Sequence, residues 1–97
     1  MDINYIDYEA LELARKEYND RGNELRDIAD RVLKMNGQLE QGWKNDTARG
    51  FMAAINQNNV PQLIAASDAL HHIAKYIGDY VRDQKEKDAE GRKGFGY

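Results

Sequence analysis

Through the first half of the chain a large apolar residue returns at every seventh position, as Leu11, Tyr18, Leu25, Val32 and Leu39, with Ala14, Ile28 and Met35 on the intervening steps of three or four. Such spacing is one face of a helix, and holding its phase for four heptads requires that helix to be unbroken. The pattern predicts helix one over about residues 7–41. Asp7 can cap its start, Glu9 and Glu12 suit the first turns, and Glu12/Lys16, Glu17/Arg21, Asp27/Arg31 and Asp30/Lys34 stand as acid-before-base pairs on a solvated face. Gly22, inside "YNDRGN", costs about 1 kcal/mol against alanine in a helix interior. The stripe keeps its phase across it, so the helix is expected to run through.

A second stripe passes through Ala48, Met52 and Ile55, then Leu63, Ala66, Leu70, Ile73, Ile77 and Tyr80. It predicts helix two over about residues 46–86. Between its two parts, in "NQNNVP", the apolar positions fail, and Pro61 lacks a donor and crowds the carbonyl of Gln57. A kink is therefore expected near residues 57–61. After Val81 comes "RDQKEKDAEGRKGFGY", with charges of both signs and no stripe, and residues 87–97 read as a flexible tail.

At 1.5 Å per residue the two helices would measure roughly 50 and 60 Å. Similar lengths and a short connection predict an antiparallel hairpin, and a period near 3.5 predicts shallow, coiled-coil-like crossing. The fold class is all-α, with 97 residues and 41% hydrophobic content sufficing for a single domain over 1–97. Two helices leave one side of each stripe wet, so a second hairpin is expected to cover them in a dimeric four-helix bundle. The stripe residues Leu11, Tyr18, Leu25, Val32, Leu39, Ile55, Leu63, Leu70, Ile73 and Ile77 are the expected core and dimer seam.

The sequence also argues against several functions. It has no cysteine, an acid-rich start where a signal peptide would be basic and then apolar, and no window near the roughly 20 apolar residues of a membrane span. Its net charge is -3, with lysine and arginine interleaved among acids, unlike a nucleic-acid binder. Adjacent His71 and His72 project about 100° apart on a helix and do not make a shared metal site. With no phosphate loop and with carboxylates spread over exposed faces, no enzyme activity, cofactor or metal is expected.

The segment "QGWKNDTARGF", residues 41–51, holds the lone tryptophan between the two helices, with the turn at about residues 42–46. Gly42 accepts positive φ beyond the end of a helix, Asn45 tolerates it next best, and Asn45, Asp46 or Thr47 can cap helix two. Trp43 is expected to plug the gap that the reversal leaves.

In length, long first helix, near-central tryptophan turn and long second helix, the chain resembles the WXG100 family of ESAT-6-like proteins exported by bacterial type VII secretion systems. Locally the resemblance rests on "LEQGWKNDTARGF", with Leu39 four before Trp43, Asn45 two after it, Thr47 at a usually small position and Phe51 eight after it. Asn45 stands where the family has its namesake glycine. The family's export signal is a tyrosine followed four residues later by an acid. Here Tyr76 and Tyr80 have acids three residues on, at Asp79 and Asp83.

The resemblance implies a protein synthesised in the bacterial cytoplasm and secreted without a classical signal peptide. It would form a homodimer, or a heterodimer with a related WXG100-like chain, recognised by the secretion ATPase or an effector's helical domain. The altered tyrosine spacing implies a degenerate signal around Tyr76, Asp79, Tyr80 and Asp83, a partner that carries the signal, or an accessory role. The alternative from the stripes alone is a cytoplasmic coiled-coil adaptor or regulator that holds a partner helix.

Overall fold

The computed structural model describes residues 5–94, with side chains for residues 5–90. Helix α1 spans Tyr8–Gly42, α2 spans Asp46–Ala54, a π-helical turn covers Ile55–Asn59, and α3 spans Val60–Gly94. Asp7 starts α1 by accepting the Ala10 N–H at 3.1 Å, which satisfies one of the otherwise unpaired first-turn donors. The chain reverses over residues 43–45, so that Tyr8 meets Asp88, Gly22 meets Ser67 and Asn36 meets Asn56. This falling order of partners defines an antiparallel hairpin. It measures 77 × 25 × 17 Å, the shape of two long helices side by side.

What touches along the seam is small. Gly22, Ala29 and Asn36 are the buried residues of α1, and Val60, Ser67, Ala74 and Val81 face them from the other arm. Both sets repeat at seven. A Cβ added to Gly22 would lie 3.1 Å from the Ser67 carbonyl oxygen and 2.6 Å from the His71 ring, so any larger residue must push the ring aside and crowd the facing backbone. The Ser67 hydroxyl donates to the Gly22 carbonyl at 2.7 Å and so is both buried and satisfied. The helix-propensity cost of Gly22 is thus the condition of the closest contact.

The large apolar residues lie beside this seam. A residue three positions after a seam residue sits about 60° round the helix, and in an antiparallel pair both arms turn that way toward the same side. Leu11, Tyr18, Leu25, Val32 and Leu39 therefore share one face with Leu63, Leu70 and Ile77, flanked by Ile73. Ala14, Tyr18 and Leu70 line a common depression there. Leu11, Leu25, Val32, Ile55, Leu63, Leu70 and Ile77 are half-buried, and Tyr18, Leu39 and Ile73 are exposed. The stripes expected to form the core instead make one broad apolar face, because the seam is already filled by smaller residues.

Pro61 does not break the second arm. A proline cannot bond to the carbonyl four residues back and crowds it, and the wider π turn just before it relieves both. The Val60 N–H reaches the Ile55 carbonyl, five residues back. The same turn corrects the phase. Met52 and Val60 both face α1 although eight residues separate them, and one extra residue in a wide turn restores the seven-residue rhythm continued by Ser67, Ala74 and Val81. Asn56 in this turn accepts from the Asn36 amide at 3.2 Å.

The tail expected from residue 87 is helical as far as Gly94, while residues 95–97 lie outside the described residues. Its alanine, glutamate, lysine and arginine favour helix. The seam's rhythm also continues from Val81 to Asp88, whose carboxylate accepts from the Tyr8 hydroxyl at 2.8 Å.

Two mutational tests follow from the seam. Gly22→Leu should lower unfolding free energy by about 1–3 kcal/mol through overpacking, whereas Gly37→Ala, with open space around its Cβ position, should raise it by roughly 0.5–1 kcal/mol. Urea denaturation reads both. In a Pro61→Ala background, deleting Asn58 should leave the thermal midpoint unchanged or raised, while deleting Ala69 should collapse it. Equal damage from the two deletions contradicts the phase-correcting role of the π turn.

Candidate functional site

At the pole of the hairpin, Gly42 is the last residue of α1 and keeps a backbone outside the positive-φ region. Trp43 follows at φ -143°, ψ 101°, and Asn45 is fully extended at φ -156°, ψ -178°. The left-handed conformation expected at Gly42 or Asn45 is therefore not what reverses the chain. Asn45 is the N-cap of α2, where its Oδ1 accepts the Ala48 N–H at 2.8 Å and its carbonyl accepts the Arg49 N–H at 3.1 Å. Asparagine is among the best side chains for that task and glycine a weaker one, so this turn has a physical reason to prefer W-x-N. Asp46 adds an acid to the first turn of α2 and pairs with Arg49.

Trp43 and Phe51 are brought together across the turn, ring centroids 5.5 Å apart and tilted by 52°. An aromatic pair in such geometry contributes about 0.5–1.5 kcal/mol beyond area burial. Trp43 is half-buried and Phe51 exposed. The indole does not fill the pole completely. Beside it lies an open cleft of about 490 Å³, bordered by Glu40, Lys44, Arg49 and Met52. This is a mixed surface with apolar walls and charges of both signs at its rim.

The four residues of the tyrosine surface stand at i, i+3, i+4 and i+7 of α3 and so line one face of that helix. Tyr76 stands free at 72% exposure, and Tyr80, about 37% exposed, turns toward the broad apolar face. Asp79 accepts from Lys75 Nζ at 2.8 Å and lies 3.3 Å from Arg82 Nη1, while Asp83 lies 3.4 Å from Arg82 Nη2. The Lys75 hydrogen bond, with Arg82 assisting, holds the Asp79 carboxyl below its ordinary range. These pairs are solvent-exposed and therefore weak, so an approaching cation can displace them at little cost.

His71 and His72 separate. The His71 Nε2 lies 2.9 Å from Asn23 Oδ1, with its ring over Gly22, and His72 faces outward. Among the described residues no group of three or more His, Asp or Glu is arranged to hold a metal ion, and no helix is long and apolar enough to cross a membrane. The residues missed in the sequence are those of the seam. Their signal was a seven-residue rhythm of small side chains, Gly22 and Ala29 in α1 and Ser67 and Ala74 in α3, running parallel to the more conspicuous stripe.

Compared with protein-family models, with curated proteins and with solved structures, the chain returns no match.

The cap assigns a ranking to Asn45 variants. Asn45→Asp and Asn45→Ser should retain stability, Asn45→Gly should lose a few tenths of a kcal/mol, and Asn45→Ala about 1 kcal/mol. Thermal denaturation by circular dichroism checks the order. A glycine variant more stable than the native chain would show that backbone conformation, not the cap, governs this position.

Proposed function

We propose that this chain is a non-enzymatic, WXG100-like helical hairpin that works in a type VII secretion system as substrate, co-substrate or targeting partner. The observation that carries the reading is the pole. Trp43 and Phe51, eight residues apart, pack as a tilted pair where two long antiparallel helices join, and Asn45 caps the second arm at the family's glycine position.

Pairing through the broad apolar face is the second half of the proposal. The chain has 7626 Å² of accessible surface, against roughly 5,700 Å² for a compact monomer of its mass. Its radius of gyration is 22.0 Å, against roughly 12–13 Å for a compact domain of this length. Leu25, Ile28, Val32, Leu63, Leu70, Ile73 and Ile77 form an uncovered apolar face along the hairpin. A stable interface buries about 800 Å² per partner. A second hairpin laid on this face would complete a four-helix bundle, as a homodimer or with a related chain.

A second reading draws on one specific observation. Asp79 and Asp83, the acids of the tyrosine surface, stand three residues after Tyr76 and Tyr80 rather than four. That favours a chain whose export depends on its partner, or a cytoplasmic adaptor that holds a partner helix on the same face.

The decisive experiment expresses the untagged chain in a bacterium with a functional type VII system, and in the same strain lacking its FtsK/SpoIIIE-type ATPase. The chain should reach the culture supernatant only in the first, and Trp43→Ala or removal of residues 76–97 should diminish it. Retention in the cell in both strains, even with a co-expressed related chain, selects the adaptor. Light scattering at micromolar concentration should give twice 11.1 kDa for the purified chain or for its mixture with the partner. A cooperatively melting monomer in both samples rules out the pairing.

A further inference from the structure

The two ends of the hairpin are closed by different chemistry. At the pole the chain is continuous and the Trp43–Phe51 pair packs across it. At the base the arms have only side chains to hold them. The rhythm of α1's seam, followed back from Gly22, reaches Arg15 and Tyr8, and that of α3, followed on from Val81, reaches Asp88. The last rung is therefore polar. The Tyr8 hydroxyl donates to Asp88 Oδ2 at 2.8 Å, and Lys85 Nζ lies 5.4 Å from the Tyr8 ring centroid. One tyrosine thus engages two residues of the opposite arm, by a charge-assisted hydrogen bond and a cation–π contact.

Lys85 and Asp88 of this rung are exposed, and Tyr8 is half-buried. A shallow depression of about 300 Å³ lies beside it, lined by Tyr8, Lys85, Asp88 and Ala89. Beyond Val81 the last arm buries no apolar side chain against α1 among the described residues. The Asp88 hydrogen bond raises the phenol's pKa above its ordinary 10.0, so Tyr8 stays a donor across the neutral range.

We propose that Tyr8, Lys85 and Asp88 form a releasable clasp: it holds the last turns of α3 to α1, and its opening frees residues 85–94 while the rest of the hairpin stays folded. The geometry carries this, because the apolar seam ends at Val81 and the next contact is a solvent-exposed polar triad. The clasp is independent of the secretion proposal and is tested on the purified chain.

The test is amide hydrogen exchange of residues 85–94, read beside that of residues 63–77, with trypsin cleavage after Lys85 and Lys87 as a second measure. Tyr8→Phe removes the hydroxyl and keeps the ring beneath Lys85. It should speed exchange of residues 85–94 by about three- to tenfold, the scale of one exposed hydrogen bond. Asp88→Ala should do the same. Tyr8→Ala removes both contacts and should exceed either. In all three variants residues 63–77 should keep their native protection, and cleavage after Lys85 and Lys87 should quicken in step with the exchange.

Unchanged exchange and cleavage in Tyr8→Ala overturn the proposal, since the segment would then be held by its own helix propensity. Exchange that quickens equally along α3 also overturns it, because the triad would then be an inseparable part of the fold. The conservative Tyr8→Phe variant guards against a general loss of structure on truncation.

Discussion

The contact between Gly22 and Ser67 sets the geometry of this molecule. A glycine at which a Cβ would crowd the Ser67 carbonyl and the His71 ring, facing a serine whose hydroxyl is spent on the glycine's own carbonyl, brings two helical backbones close together. Ala29 and Ala74 continue the narrow seam on either arm. Once the arms are that close, leucine, isoleucine and tyrosine cannot fit between them. They are displaced to the flank where both helices turn their three-residue-later positions, and a flat pair 17 Å thick with one apolar face results. The hydrophobic material of the chain thus organises the outside of the hairpin more than its inside.

That displacement explains what was legible in the sequence. Two long helices, a reversal near Trp43 and an irregularity before Pro61 all follow from periodicity and from the backbone chemistry of proline. Which side of the stripe faces the other arm does not. The large residues at 11, 18, 25, 32 and 39 and the smaller ones at 22, 29 and 36 have the same period and differ only by an offset of three. Reading by hydrophobicity selects the first set, and close packing selects the second. Gly22 is the clearest instance, since its propensity cost is visible in one dimension while the contact that requires it needs two helices. Asn45 is another: its residue type suits either a left-handed turn or a cap, and only its extended backbone decides for the cap.

Polar groups appear where a seam of small residues needs registration. Small side chains interlock weakly, so helices meeting through them can slide by a heptad with little change in packing. Asn36 bonded to Asn56, and Ser67 bonded to the Gly22 carbonyl, are satisfied only in the observed alignment. A slipped hairpin would leave the buried Asn36 amide without its partner, at about 1–3 kcal/mol. The π turn belongs to the same logic, because it presents Asn56 to Asn36 and also brings Val60 back onto the seam after the eight-residue interval from Met52. Specificity of alignment therefore rests on a few hydrogen bonds, while the apolar face is left free of that duty.

The polarity of the hairpin bears on how a partner would use it. A second hairpin on the apolar face would secure the middle of both arms, where Leu25, Val32, Leu63 and Leu70 lie, while the base extends past Val81, beyond the last apolar residue of the seam. Tyr76 and Asp83 sit on either side of Val81, beyond which backbone order depends less on packing and more on a few exposed polar contacts. Local stability falls where buried apolar contacts are few. A surface meant to be grasped by another protein is well placed at that transition: anchored on one side by a paired helix, and on the other by a segment whose ordering can follow the partner's arrival.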